Sequence, residues 1–196
     1  KPGATQSVIR AGYISVPIGH PDHYALILLN HLFGGQFTAR LNVNLRQDKG
    51  YSYGYHSSIE WHTTSSLLLA GGGVQTTVTR EAVEETLKEF HNIRGDKPVD
   101  VTEFEAAKSS LLRQFPASFE TPMQILEYLV EIVSFGLGDD YYLSFTPNIE
   151  AVSLNDVRKA AQRHVGNDRL ALLVVGDRAL VEPELLKLGL PLRRLD

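Results

Sequence analysis

Two hydrophobic periods alternate along this chain, and their order restricts the fold more than any other feature. From Gln6 to Val16 residues change face at every step, with Val8, Arg10 and Gly12 against Ile9, Ala11 and Tyr13. That is the pattern of a strand. Pro17 to Pro21 close it. From Asp22 the period lengthens: Tyr24, Leu28 and His31 share one helical stripe, and Ile27, Leu29 and Leu32 another. An apolar surface that wide predicts a buried helix, stopped by Gly34-Gly35. Thr38 is placed to cap a shorter helix through Leu41 and Leu45, ended by Gly50. Tyr51–Trp61 and Ser66–Val74 then read as two strands of an antiparallel hairpin. Gly71-Gly72-Gly73 inside the second strand predicts a bulge or a close backbone approach.

The rest of the chain is mostly helical in pattern. Thr79 is expected to cap a helix bearing Val83, Leu87, Phe90 and Ile93. Asp100 or Thr102 starts the next, with Thr102 and Glu105 spaced as a capping box, and Pro116 breaks it. Thr121-Pro122 opens a helix to Phe135, closed by Gly136 and Gly138, and Ser153 caps another to His164. Leu170–Val175 reads as a last strand. The order predicts an α+β fold, a mainly antiparallel sheet with helices packed on one face. With 196 residues and 43% hydrophobic content, residues 1–196 are read as one domain. Met123 is the only methionine and Lys1-Pro2-Gly3-Ala4 has linker composition, so the chain is expected to be cut from a longer protein.

Composition removes several functions. The formal net charge is −4 and no Lys/Arg stripe exists to displace phosphate counterions, so no nucleic-acid partner is expected. Apolar runs such as Ala25–Leu29 are far too short for a membrane span. Zero cysteines exclude disulfides, thiolate nucleophiles and Cys-ligated zinc. That leaves the compartment open, a bacterial periplasm or cytoplasm being favoured. Among the seven histidines no His-x-x-Glu-His or His-Glu-x-x-His occurs. His20 and His23 are split by Pro21 and do not form a facing pair, and His56 and His62 read as exposed strand and turn residues. No metal site is expected on this chain. No nucleophile elbow or phosphate-cradling glycine loop is found either.

One segment stands out, GGQFTARLNVNLRQDKGYSYG from Gly34 to Gly54. Arg46 lies near a helix end and Tyr53 near the following strand start, which brings the two into one neighbourhood. Arg offers fixed donors to carbonyls or carboxylates and Tyr a phenolic O–H. The plain alternative is that Arg46 satisfies the helix C-terminus and Tyr53 is a strand core residue.

This segment resembles the signature of the second, zinc-free, inactive domain of peptidase family M16, the pitrilysin/insulinase/processing-peptidase type. That signature has Gly-Gly, Ser/Thr-x-Arg-Leu, then Leu-Arg-x-x-x-Gly-x-x-Tyr-Gly. Here Gly34-Gly35, Thr38-Ala39-Arg40-Leu41, Leu45-Arg46, Gly50 and Tyr53-Gly54 fill every fixed position. The likeness continues through Gln6–Ile9, Phe104–Lys108 (Phe104 replacing the usual Leu), Phe115-Pro116 to Met123, Phe135–Leu137, Ala151–Val157 and Val174–Asp177. It implies half of a clamshell that closes around an extended peptide, with zinc and His-x-x-Glu-His in the catalytic partner half. It also implies that Arg46 grips a substrate carbonyl or terminus, and that Tyr53 hydrogen-bonds the oxyanion. If Asn30–Gly34 matches the end of the motif helix, the ligand and base positions hold Leu26, Leu29 and Asn30, and no metal ligand survives. An edge of the first or second strand is expected to accept a strand of substrate. The alternative is a structural homologue that kept the fold and has no peptidase role.

Overall fold

The structure, a computed structural model, describes residues 1–166 and 169–195. Four strands, β1 (Gln6–Ser15), β2 (Ser52–Glu60), β3 (Ser66–Gln75) and β4 (Ala171–Val175), form one sheet in the order β2-β3-β1-β4. All pairings are antiparallel. The period-two reading of β1 holds: Ser7, Ile9, Ala11, Tyr13 and Ser15 are buried, while Val8, Arg10 and Ile14 are exposed. Helices cover the first face and leave the second open, as the α+β reading predicts. β1 lies between β3 and β4, but β4 pairs with it only from Val8 to Gly12. Of the two strands expected to accept a peptide, β2 therefore has an edge with no strand neighbour along its whole length, and β1 has one only outside that stretch.

Helix α1 (His23–Asn30) lies against β2 and against α7 (Leu154–His164), which explains its wide apolar surface. Leu26, Leu28 and Leu29 are at most 2% exposed. The helix widens into a π-helical turn, His31–Gly35, before stopping. A Cβ at Gly34 would sit 2.4 Å from the backbone nitrogen of Ser57, so only glycine lets this turn press against β2. The short α2 (Arg40–Asn42) likewise runs into a π turn, Val43–Asp48. Its cap position is Ala39, with no side-chain bond, so Thr38 does not cap it.

The next cap differs from expectation, and for the helix after it one of the two expected starts, Asp100, is the cap. α3 (Thr79–Asn92) begins after Val78, and the Thr79 hydroxyl, already inside the helix, donates to Thr76 O (2.8 Å) and lies 2.9 Å from Ser7 Oγ. α4 (Val101–Gln114) is capped by Asp100 with Glu103, not Thr102 with Glu105. Capping boxes at Thr121/Gln124 and Ser153/Asp156 open α5 (Pro122–Phe135) and α7, and Gly136 closes α5 in the left-handed conformation. α6 (Phe145–Ala151) and α8 (Arg178–Leu186), both short and each containing a proline, were not individually resolved by periodicity.

α5 is unusual among these elements. None of its residues is buried, and Met123, Leu126, Val130 and Val133, at heptad-like spacing, are each more than half exposed. It is tied to the body by Tyr128, which stacks on Phe119 at 4.6 Å, and by the Tyr142 hydroxyl donating to Glu131. No helix among the described residues is long and apolar enough to cross a membrane.

Candidate functional site

Arg40, Asn42 and Ser52 are among the polar side chains that hold the segment from Gly34 to Gly54 in place. Arg40 is fully engaged: its guanidinium clamps Glu103 at 2.7 and 2.5 Å and also donates to the carbonyls of Lys97 (2.6 Å) and Pro98 (3.1 Å). A bidentate carboxylate pair with two extra acceptors spends the Arg donors and fixes α2 against the start of α4. Asn42 is 0% exposed. Its Nδ2 donates to Phe37 O (2.7 Å) and its Oδ1 accepts the backbone N–H of Tyr55 (3.1 Å). Ser52 Oγ accepts Gly54 N–H (3.1 Å) and lies 2.7 Å from the carbonyls of Gly54 and Gly73.

Ser52 and Asn42 together stabilise an irregularity in β2. The register with β3 shifts between Ser52, opposite Val74, and Tyr55, opposite Gly72. The intervening Tyr53 is thereby turned out of the sheet, the usual work of a bulge. The bulge lies on β2, opposite the glycine run, and not on β3. Gly71 and Gly72 serve close approach instead: a Cβ at Gly71 would lie 2.0 Å from Ile9 O, and one at Gly72 2.3 Å from Gly54 O. Tyr55, the next tyrosine, is the core residue; burial pushes its hydroxyl up to about 12, although its bond with Thr86 Oγ1 (2.7 Å) opposes this.

The plain alternative fails for Tyr53 but not for Arg46, which lies where a cation complements a helix C-terminus. Tyr53 is 89% exposed, so it is no core residue. Arg46 does lie in the last turn of its helix, but among the described residues it has no hydrogen bond and no ion pair. Its guanidinium rests 4.4 Å from the ring centre of Phe37, itself largely exposed. The Gly34–Gly54 segment therefore presents a guanidinium on an aromatic platform and an exposed phenol, with Asn42 linking Phe37 to the strand that carries Tyr53. Asn42, Ser52 and Phe37 were not singled out by sequence; a buried amide that bonds backbone far along the chain leaves no periodic signal.

The motif-helix positions carry nothing that ligates. Leu26 and Leu29 are in the core, and Asn30 is occupied by Ser57, whose hydroxyl donates to Asn30 Oδ1 at 2.7 Å. One group of potential ligands does come together, His20, Asp22 and His164, all within 4.8 Å. His164 Nε2 meets Asp22 Oδ2 at 2.6 Å, Arg163 meets the same oxygen at 3.3 Å, and His20 Nδ1 accepts the Asp22 backbone N–H. In this arrangement the Nδ1 lone pair of His20 is taken by the Asp22 amide, and the Asp22 carboxylate is shared by His164 and Arg163. The group reads as a clasp between the start of α1 and the end of α7. Burial raises the Asp22 carboxyl, but bonds from His164 and Arg163 outweigh it and hold the group below the usual carboxylate range.

A cleft of about 660 Å³ between α2, α3 and α4 includes neither Arg46 nor Tyr53. Much of its charge is internally paired, Asn44 and Lys49 with Glu85, and Arg40 with Glu103. His56 and His62 are exposed, as expected, but His23 is buried against Trp61 and bonded to the Tyr141 hydroxyl at 2.6 Å.

An α+β domain with one helix-covered sheet face and non-ligating side chains at the motif-helix positions matches a known class. The family model for the peptidase M16 inactive domain matches residues 1–111, more than half of the chain. The chain belongs to that family. A curated relative, the uncharacterized zinc protease YmxG of Bacillus subtilis, is 34% identical over 85 residues, 42% of this chain and 21% of that protein. A solved peptidase M16 inactive domain from Pseudomonas fluorescens superposes with a TM-score of 0.79 at 18% identity, covering 89% of this chain and 41% of that one. A protease from Helicobacter pylori gives 0.78 at 16% identity, covering 89% and 42%. The chain thus spans about a fifth of the curated relative and two fifths of these solved chains.

Proposed function

We propose that residues 1–196 are the non-catalytic, peptide-binding half of a zinc-dependent M16 peptidase, with the metal and the His-x-x-Glu-His motif on a catalytic partner half. The carrying observation is the pair Arg46 and Tyr53, neither with a hydrogen bond or ion pair among the described residues, on a segment otherwise fixed by buried polar bonds. A chain that holds Arg40 in four bonds while leaving Arg46 in none keeps the second for something outside itself. On this reading Arg46 donates to a carbonyl or carboxylate of the bound peptide. The Tyr53 hydroxyl donates to the scissile carbonyl oxygen as negative charge builds on it. The residues at the motif-helix positions do not fit zinc, so the chain's own part is to bind and orient.

The outward stripe of α5 supports a covered position in a larger assembly, since an exposed apolar helix face is uncommon on a free surface. The solved relatives, more than twice as long as the stretch this chain matches, have room for the covering half. The test is Arg46→Ala and Tyr53→Phe in the complete two-half protein. Each should lower kcat/KM for peptide cleavage by about 10²-fold or more, the scale of losing one oxyanion donor. Near-normal turnover in both would sink the proposal.

A further inference from the structure

The open face of the sheet contains a second feature that the Arg46–Tyr53 pair does not use. The strand register lines residues up across the sheet, and one row reads Leu173, Arg10, Gly71, His56 from β4 to β2. Gly73 lies in the next row, opposite Val8. Between Arg10 on β1 and His56 on β2 the floor is therefore bare backbone, two strand spacings or about 10 Å across. The result is a shallow trough with a guanidinium on one wall and an imidazole on the other.

Three observations point to a ligand for it. Arg10 is exposed and, among the described residues, has no carboxylate partner; its one hydrogen bond there runs from Nη1 to Ile9 O at 3.0 Å. That single bond orients the group and leaves most of its five donors unused. Glycine at 71 is needed for this pose, because a Cβ there would come within 3.1 Å of Arg10 Nη1 as well as striking Ile9 O. The shoulders beside Arg10 are apolar and open, Leu173 in the same row being 44% exposed and Val8 in the next row 40%. A lone oriented arginine beside bare backbone and apolar shoulders suits an extended chain that carries one carboxylate among apolar side chains.

We infer that this trough binds a carboxylate of the peptide, with Arg10 as its donor and a determinant of specificity. The inference rests on reading the chain as a peptide-binding half. The carboxylate is either an acidic side chain or a free C-terminus, and both present the same two oxygens to Arg10.

The experiment uses the complete two-half protein and matched peptides: Glu against Gln at each position in turn, and a free against an amidated C-terminus. In the unaltered protein one pair should show a carboxylate preference in kcat/KM of tenfold or more, and which pair does so identifies the source. Arg10→Gln should shrink that ratio at least tenfold, Arg10→Lys should restore part of it, and Arg10→Glu should favour a Lys-bearing peptide. A ratio near one in the unaltered protein, or one that Arg10→Gln leaves within twofold, overturns the inference. Should the assembly cleave none of the peptides, the same ratios are read as Kd by fluorescence anisotropy, with the same two outcomes deciding. Failure of the broader reading looks different: Arg46→Ala and Tyr53→Phe then leave turnover intact whatever Arg10 does.

Discussion

Replacing Asn42 with alanine isolates the bond network that sets the candidate site, and its cost can be worked from the structure. The side chain is completely buried and makes two bonds, one to a buried amide and one to a carbonyl nearer the surface. Tyr55 N–H sits beside the β2 bulge, so it has no other strand partner to turn to, and stranding such a group costs about 1–3 kcal/mol. Phe37 O can be re-solvated, so its loss is the net value of one bond, about 1 kcal/mol. Together these give about 3 kcal/mol, or roughly 6–12 °C in Tm for a chain of this size. Thermal unfolding by circular dichroism measures it, and amide exchange at Tyr55 locates it. Asn42→Asp keeps the acceptor for Tyr55 but sets a carboxylate against the Phe37 carbonyl, so it should protect the Tyr55 amide while still lowering Tm. A fall of less than about 2 °C for Asn42→Ala would show that the amide does not hold the bulge, and the account of how Tyr53 is presented would go with it.

Gly34→Ala should destabilise by at least about 2 kcal/mol, because the new methyl group meets Ser57 backbone at 2.4 Å while both segments are packed. Gly35→Ala, whose nearest contact is Asn30 O at 3.1 Å, is the matched control, and urea midpoints that do not separate the two would contradict the packing argument. His23 predicts a pH effect. Burial pushes its imidazole down to about 4, so between that value and the ordinary 6.5 the unfolded chain holds more protons than the folded one. Stability therefore falls as pH drops through this window, by about 3 kcal/mol if the whole shift is expressed. His23→Phe, which keeps an aromatic ring beside Trp61, should flatten urea stability between pH 6.5 and 4 relative to the unaltered chain; an unchanged slope would remove His23 as the cause.

What the sequence made legible follows from which forces are local. Strand and helix order came through because burial on one face writes a period into the chain, as in Gln6–Ser15 and Val83–Ile93. The helix caps came through only in part. Thr38 and Thr79 were plausible, yet Ala39 and Val78 hold the cap positions, and of the two starts open to α4 it is Asp100, not Thr102, that caps. Capping depends on where the preceding loop enters, and for α4 that entry is fixed by Arg40 from 63 residues away, through the same Glu103 that closes the capping box. The π turns after α1 and α2 were invisible for a similar reason, since the first depends on the fit of Gly34 to Ser57 across the sheet. Arg46 and Tyr53 stand out by the family resemblance, but composition and spacing alone do not separate them from Arg40 and Tyr55, which are chemically identical neighbours. The distinction is one of satisfaction: Arg40 spends four of its five donors and the Tyr55 hydroxyl meets Thr86 inside the chain, whereas Arg46 and Tyr53 have no hydrogen bond among the described residues. Arg10, with its one bond to Ile9 O, comes near the same criterion and was missed, because an alternating strand predicts only that its side chain points outward. Unsatisfied polar groups on an otherwise well-bonded frame are what direct attention to a site here, and they become countable only when distant partners are seen together.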